Sequence, residues 1–423
     1  MGSMLKEKTA QSNSSEDARR IVIMLGLVIG VLFLLGGGML YAISEKPELG
    51  ARIADILRRT IGNEPVAYLE TTMFAVQDNV RQLEYQVAGK KAASPWSLTP
   101  IPTQVIEMTP TLPAATPNPS QPLPTSTPKP NMNLIGVSWP PPNITNRMGV
   151  LDDEGIWTPY LYDSHGRVVA YRTFLQPDRQ RPYAMTAIVV FNLNVTRLGF
   201  MIGTHEPYST AKLQRSGVIP AQDRQPGVLL ATFNGGFQAQ HGQFGAMYEG
   251  NVVLPGREGM GTLLLYKDGR LRIAPWDAKF NDMTEIQSWR QNGPMLVQNN
   301  EINPDTSTSD KNKSIEFWGA TVDGNTVTWR SGIGLSANKK FLYYVAGPGL
   351  TVPTLANALK TIGAVDAMQL DINPYWVHFV SVRHLKDQLK ADPLLPEMHD
   401  NPDRYFYNYS RDYFYVTAHN TEQ

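Results

Sequence analysis

Three short islands in the sequence place polar groups beside glycines or aromatics in patterns that suit ligand chemistry. Ala231-Thr-Phe-Asn-Gly-Gly-Phe237 follows an apolar run. Its paired Gly235 and Gly236 let the backbone turn sharply towards a ligand, and the Asn234 amide both donates and accepts. The same tripeptide also reads as an ordinary strand-ending turn. Trp329-Arg-Ser-Gly-Ile-Gly334 carries Arg330, which is either a bidentate fork for a phosphate or an exposed strand residue. Leu370-Asp-Ile-Asn-Pro-Tyr-Trp376 sets a carboxylate, Asp371, just past a buried run and follows it with Asn373, Tyr375 and Trp376. That is a polar site with aromatic walls, or an Asp-turn that caps a loop.

The elements that must position these groups are short strands. Val168–Phe174, Ala187–Phe191, Val228–Phe233, Gly261–Tyr266 and Phe341–Val345 are β-branched or aromatic runs bounded by turn residues. Lys267-Asp-Gly-Arg270 reads as the turn of a hairpin. The clearest helix runs from Thr351, which can cap it, to Gly363, which ends it, with Leu355, Leu359 and Ile362 on one face. Ala367 to Asp371 then reads as a buried strand ending on the carboxylate. The fold class expected for residues 143–423 is α+β, a strand-rich mixed sheet with packed helices.

The first third of the chain has another character. Ile21 to Ile43 is an uncharged apolar run, long enough for the ~20 residues that a spanning helix needs. It is longer than the apolar part of a cleaved signal peptide and lacks a small-residue cleavage site. Arg19 and Arg20 abut it, which favours an inside N-terminus. The expectation is a cytoplasmic tail at 1–20, a transmembrane helix at 21–43, and everything after it outside the cell membrane. Residues 44–93 read as a juxtamembrane helical stalk. Within them, 65–91 carries an apolar stripe of Tyr68, Phe74, Val76, Val80, Leu83 and Val87 that also suits self-association. Fourteen of the 32 prolines fall between Ser94 and Pro142, interleaved with threonine, so 94–142 is an extended linker that buries no core.

Composition removes several classes. With 38 Lys+Arg against 38 Asp+Glu in 423 residues, no net field attracts nucleic acid, and no nucleic-acid partner is expected. The chain has no cysteine, which excludes disulfides, thiolate metal sites and a cysteine nucleophile. Seven scattered histidines form no His-Glu-x-x-His, and no Gly-x-Ser-x-Gly elbow occurs. No metal site and no cofactor is expected, with a divalent cation beside Asp371 left open.

Taken in order, the islands resemble the phosphodiester glycosidase family from about Ala187 to Val380. The resemblance rests on Asn234-Gly-Gly-Phe237, Gly245 through Gly250 before Asn251-Val-Val253, the hairpin at Asp268-Gly269 and Gln291-Asn-Gly-Pro-Met-Leu-Val297. It continues through Arg330 to Gly334, and through Leu350 to Asp371. One departure stands out. Family members follow the Leu-Asp with glycines and serines, whereas Ile372-Asn-Pro-Tyr-Trp376 stands here, so the substrate pocket differs.

The resemblance implies hydrolysis of a sugar-1-phosphodiester, whose phosphate leaves readily and asks for a cationic clamp and a carboxylate near the anomeric carbon. On that reading Arg330 is the clamp and Asp371 the nucleophile or base. Asn234, Gly235, Gly236 and Asn373 position sugar or phosphate oxygens. His241 is a second acid/base candidate, or a solvated loop histidine. Trp376 stacks on a sugar ring, or fills a surface gap. The expected function is that of a membrane-anchored enzyme acting on envelope or exopolysaccharide glycans. The alternative is a tethered, non-catalytic glycan-binding or envelope-organising module.

Overall fold

The computed structural model describes residues 46–87, 89, 91–96, 138–279, 283–319, 321–386 and 388–419. The expected tail at 1–20, the span at 21–43 and most of the linker therefore lie outside the described residues. Among those that are described, no helix is long and apolar enough to cross a membrane. Two compact units are present, one ending at Gly62 and one from Asn63 onward. The first contains α1 (Pro47–Ile61), with Pro47 in its opening turn.

The second unit opens with α2 (Asn63–Val87). Strands follow as β1 (Thr158–Tyr162), β2 (Val168–Leu175), β3 (Thr186–Asn192) and β4 (Thr196–Met201). Next come β5 (Leu229–Asn234), β6 (Ala246–Tyr248), β7 (Asn251–Leu254), β8 (Gly261–Tyr266) and β9 (Leu271–Pro275). Then β10 (Ile286–Gln291), β11 (Met295–Gln298) and β12 (Glu301–Ile302) lead to the short α3 (Lys311–Phe317). The chain closes with β13 (Thr328–Ser336), β14 (Phe341–Leu350), α4 (Val352–Thr361), β15 (Ala364–Ile372), β16 (Phe379–Leu385), β17 (Gln388–Pro393) and β18 (Tyr413–Ala418). The strands and the helix read from the sequence are all present, within a few residues at their ends. The class is α+β, rich in sheet and poor in helix.

Three sheets share the strands. One has the order β1-β2-β3-β14-β13-β15-β11-β12, the second β7-β6-β10-β8-β9, the third β17-β16-β5-β18-β4. Where a mixed sheet was expected, every pairing among the described residues is antiparallel. The reason is β13. It pairs antiparallel with β14 on one side and β15 on the other, so the two strands that α4 connects run parallel without touching as neighbours. The inner faces meet in one core that includes Phe191, Phe233, Leu263, Ile333, Leu370, Phe379 and Phe414. Phe233 stacks on Phe379 at 5.9 Å between ring centroids, and Tyr344 packs against both.

Local chemistry accounts for α4. Thr351 and Thr354 form a reciprocal capping box, and Pro353 stands in the first turn where no N–H is needed. Its seat is made by glycines. A Cβ on Gly334 would lie 2.7 Å from the Ala364 Cβ, and one on Gly332 would lie 3.1 Å from Leu359. The Gly332 and Gly334 of the second island thus let a helix lie close to its sheet.

Residues 44–93 were read as a stalk. In the structure α2 belongs to the same compact unit as the strands and buries Val66, Ala67, Phe74 and Asp78. Asp78 accepts from Arg181 Nε at 2.9 Å and from the Tyr183 hydroxyl, while the Val322 amide donates to Thr71. The unit thus begins at Asn63, 80 residues before the boundary that the proline-rich segment suggested, because sequence composition marks the linker but not what docks beyond it.

Candidate functional site

The ends of strands from all three sheets converge at one place. Asn234 ends β5, Arg290 is the penultimate residue of β10, Asp371 is the penultimate residue of β15, and Arg411-Asp412 leads into β18. Register explains part of this. Tyr413 pairs with Asn234, which sets Asp412 beside Gly235. The Gly235 amide donates to the Asp412 carbonyl at 3.2 Å and the Gly236 amide to Asp412 Oδ2 at 3.0 Å. A Cβ on Gly235 would come within 2.2 Å of that carboxylate and 2.6 Å of the same residue's carbonyl. Gly235 thus admits Asp412, and Gly236, whose Cβ would come within 2.9 Å of the Arg290 guanidinium carbon, admits Arg290.

Asn234 is a hub. Its Oδ1 accepts from the Tyr344 hydroxyl at 2.9 Å and from the His378 amide at 3.1 Å. Its Nδ2 donates to Ser331 Oγ at 2.9 Å and to the Gly235 carbonyl at 3.1 Å. Ser331 Oγ in turn donates to the Asp371 carbonyl at 2.7 Å, and the Asp371 amide donates to the Gly235 carbonyl at 3.1 Å. Both donor hydrogens and both acceptor positions of the amide are thus engaged by the protein. Asn234 holds the end of β15 in place.

Asp371 and Arg411 make the chemical pair. One carboxylate oxygen of Asp371 accepts the Ile372 amide at 2.9 Å; the other accepts from Arg411 Nη2. The side chains are 8% and 6% exposed, so solvent barely screens the contact. Burial pushes the Asp371 carboxyl up to about 7, against the pull of the Arg411 charge and the Ile372 amide. Burial also works against the Arg411 charge, but Asp371 leads a set of partners that holds its pKa above the ordinary arginine value. Nη2 of Arg411 further donates to the Gly236 carbonyl at 3.1 Å, and its guanidinium carbon lies 4.2 Å from the centre of the Trp376 ring.

A second ion pair lies beneath. Arg290 Nε donates to Asp412 Oδ2 at 2.9 Å, with side chains 1% and 0% exposed. Arg290 also donates to the carbonyls of Phe244 at 3.0 Å and Gln291 at 2.8 Å. Asn292 ties the sheets together by accepting from the Phe237 amide and donating to the carbonyls of Gln369 and Leu370.

The sequence-derived residues divide. Asn234, Gly235, Gly236, Asp371 and Trp376 are brought into one neighbourhood, but Arg330 is not with them. Its guanidinium is wholly buried and donates to the carbonyls of Leu350, Trp318 and Thr326 and to Gln369 Oε1, at 3.1 to 3.2 Å. Burial lowers its pKa to about 9, and among the described residues its hydrogen bonds go to carbonyls and an amide oxygen. The cause is a bulge. Arg330 pairs with Ile372 and Gly332 with Gln369, so β15 carries one extra residue between those points. A bulge re-aims side chains. Gln369 stays on the Arg330 face, while Asp371 turns to Arg411.

Asn373, at φ 89°, accepts the Tyr375 amide on its side chain and donates its own amide to Trp329. It shapes the loop that presents Trp376. His241 lies in the turn after the glycine pair, where its amide donates to Gln238. Among the described residues no group of three or more His, Asp or Glu side chains is placed to hold a metal ion. A cleft of about 880 Å³ lined by Arg272, Trp276, Lys339 and Asp366 lies elsewhere, at the opposite end of β15 from Asp371.

Sequence reasoning missed Arg411, Asp412 and Arg290. Arg290 immediately precedes the Gln291-Asn-Gly-Pro island, and Ser410-Arg-Asp immediately precedes an aromatic strand. Charged residues at the mouth of a core strand were the available signal.

The phosphodiester glycosidase family model matches residues 228–371. Among curated proteins none matches the chain. Similar solved structures include the catalytic domain of zebrafish N-acetylglucosamine-1-phosphodiester alpha-N-acetylglucosaminidase, auto-inhibited by its pro-peptide. It is 15% identical over 62% of this chain and 87% of that one, with a TM-score of 0.39. A hypothetical protein from Synechocystis is 12% identical over 62% and 64%, TM-score 0.34. An exported protein of Burkholderia pseudomallei K96243, named putative, is 8% identical over 56% and 74%, TM-score 0.31. The likeness first read from the islands is therefore shown for a stretch that opens at β5 and closes on Asp371: residues 228–371 are phosphodiester glycosidase-like.

Proposed function

We propose that this protein hydrolyses a sugar-1-phosphodiester bond, with Asp371 and Arg411 as the reacting pair. The observation that carries the reading is their contact at the point where three sheets deliver their strand ends, with Asp371 closing the stretch that matches the family and Arg411 lying beyond it. Arg411 reaches Asp371 and the Gly236 carbonyl through Nη2, and its charge is the clamp we assign to the phosphate. In the reaction the bond between C1 and the phosphate oxygen breaks, and its electron pair stays on the phosphate held by Arg411. Water adds its oxygen to C1, directly or after a glycosyl–Asp371 ester, and its proton passes to a carboxylate. Trp376, held beneath the guanidinium, borders the sugar side. The substrate is a glycan of the envelope or an exopolysaccharide, and the chain is anchored through 21–43 with the strand-rich unit outside.

A second reading has its own observation. The loop from Asn373 to Trp376 replaces backbone donors with a proline and two rings, which favours a pocket that holds a glycan without cleaving it. One experiment separates them. The full-length chain is incubated with a panel of sugar-1-phosphodiesters and reducing-sugar release is followed, beside Asp371→Asn and Arg411→Lys. Turnover that falls at least ~100-fold in both variants supports the hydrolase. Saturable glycan binding with no turnover in the unaltered chain supports the binding module.

A further inference from the structure

Helix α2 docks along one face and turns the other to solvent. The docked side buries Ala67, Phe74 and Asp78. On the far side Leu69, Val76, Val80, Leu83 and Val87 are 57%, 48%, 52%, 59% and 76% exposed, with a half-buried Met73 among them. An amphipathic helix ordinarily buries its apolar stripe. Here nothing among the described residues covers it.

The spacing of these six residues alternates between four and three. That is the seam of a coiled coil, with Met73, Val80 and Val87 at the a positions and Leu69, Val76 and Leu83 at d. At 3.6 residues per turn the seam lies roughly 150° around the helix from Ala67, Phe74 and Asp78. Docking onto the strand-rich unit therefore buries Val66, the first a position, and leaves the seam accessible from Leu69 onward.

We infer that this seam pairs with the same helix of a second copy of the chain, in parallel and in register. Charge selects that occupant. The e positions are Glu70, Gln77 and Glu84, and the g positions are Thr72, Asn79 and Gln86. In a parallel pair Thr72 of one copy meets Gln77 of the other and Asn79 meets Glu84, with no like charges opposed. An antiparallel pair centred on Gln77 sets Glu70 against Glu84 twice. A lipid surface is the poorer fit, because the helix carries Glu64, Glu70, Asp78 and Glu84 against the single basic Arg81. Valine at two a positions and leucine at two d positions favours two strands over more.

The absence of cysteine makes the test direct. Val87→Cys in the full-length chain, held in detergent, supplies one thiol per copy at the end of the seam. Parallel register brings the two thiols together, and mild oxidation links most of the protein as a dimer. The antiparallel arrangement holds them about 20 Å or more apart. Adding Val80→Asp and Leu83→Asp, both exposed, lowers the linked fraction about tenfold or more. The circular dichroism and Tm of the strand-rich unit stay unchanged, which separates loss of pairing from loss of fold. A chain that runs as a monomer before oxidation overturns the inference. So does linkage indifferent to the aspartates, or seam-dependent capture by anionic vesicles without dimer.

Discussion

Asp371 illustrates how one carboxylate can be both buried and poised. Its folded pKa, about 7, lies above the ordinary value of 3.8, so the native state binds the proton more tightly than the unfolded chain. Stability from this group is therefore full below about pH 4 and is lost as pH rises towards 7. Asp371→Asn should flatten that part of the stability curve, as followed by Tm against pH. Activity runs the other way. If the ionised form attacks or takes the proton, kcat/KM falls about tenfold per unit below pH 7. Loss of activity on the alkaline side of 7, with none on the acid side, speaks against that role. Asp412 belongs to a different class, because its side chain is fully buried and engaged by Arg290 and the Gly236 amide. Its pairing with Arg290 is fully buried, and removing one partner strands a charge. Asp412→Ala should cost about 3–5 kcal/mol, read by denaturant unfolding, with binding and turnover lost only through the fold.

At the scale of elements, the strand ends matter more than the strands. Sheet order places β5, β15 and β10 in three different sheets, and their C-terminal ends meet at the site. The joints are backbone contacts made by glycines and side-chain amides. Gly334→Val tests the α4 seat, since the added Cβ would stand 3.2 Å from Leu359 of that helix and 2.7 Å from Ala364 at the start of β15. Overpacking of that kind should cost about 1–3 kcal/mol and shift Tm down with little change in KM, because the helix sits on the other face from Asp371. A large rise in KM with Tm intact would show that α4 shapes the pocket directly. The bulge in β15 has the opposite significance. It changes no stability term that composition reveals, yet it decides which arginine Asp371 meets.

For the whole molecule, α2 is the element that redefines the boundary. Cutting the chain at 143 removes Phe74 and the Asp78 contact with Arg181 and Tyr183 from the compact unit. A chain starting at 143 should be less stable than one starting at 63, by about 3 kcal/mol or more from the lost aromatic burial. Equal Tm values for the two chains would mean that the docked face contributes nothing. The same helix presents the exposed seam, so docking and the proposed pairing share one segment that precedes the proline-rich stretch.

The residues by themselves determined the apolar run at 21–43, the proline-rich composition of 94–142, the positions of the main strands and α4, and the choice of Asn234 and Asp371 as candidates. Those signals are local: periodicity, caps, turn glycines and composition each act over a few neighbours. What only the tertiary structure decided is which charges face each other. Arg330 is the arginine nearest Asp371 by strand register, and it was the natural choice for a partner. One extra residue in β15 sends its guanidinium and the carboxylate to opposite faces, and Arg411, forty positions later, occupies the place instead. Register and bulges arise from the hydrogen-bond ladder between distant segments, which no window of sequence contains.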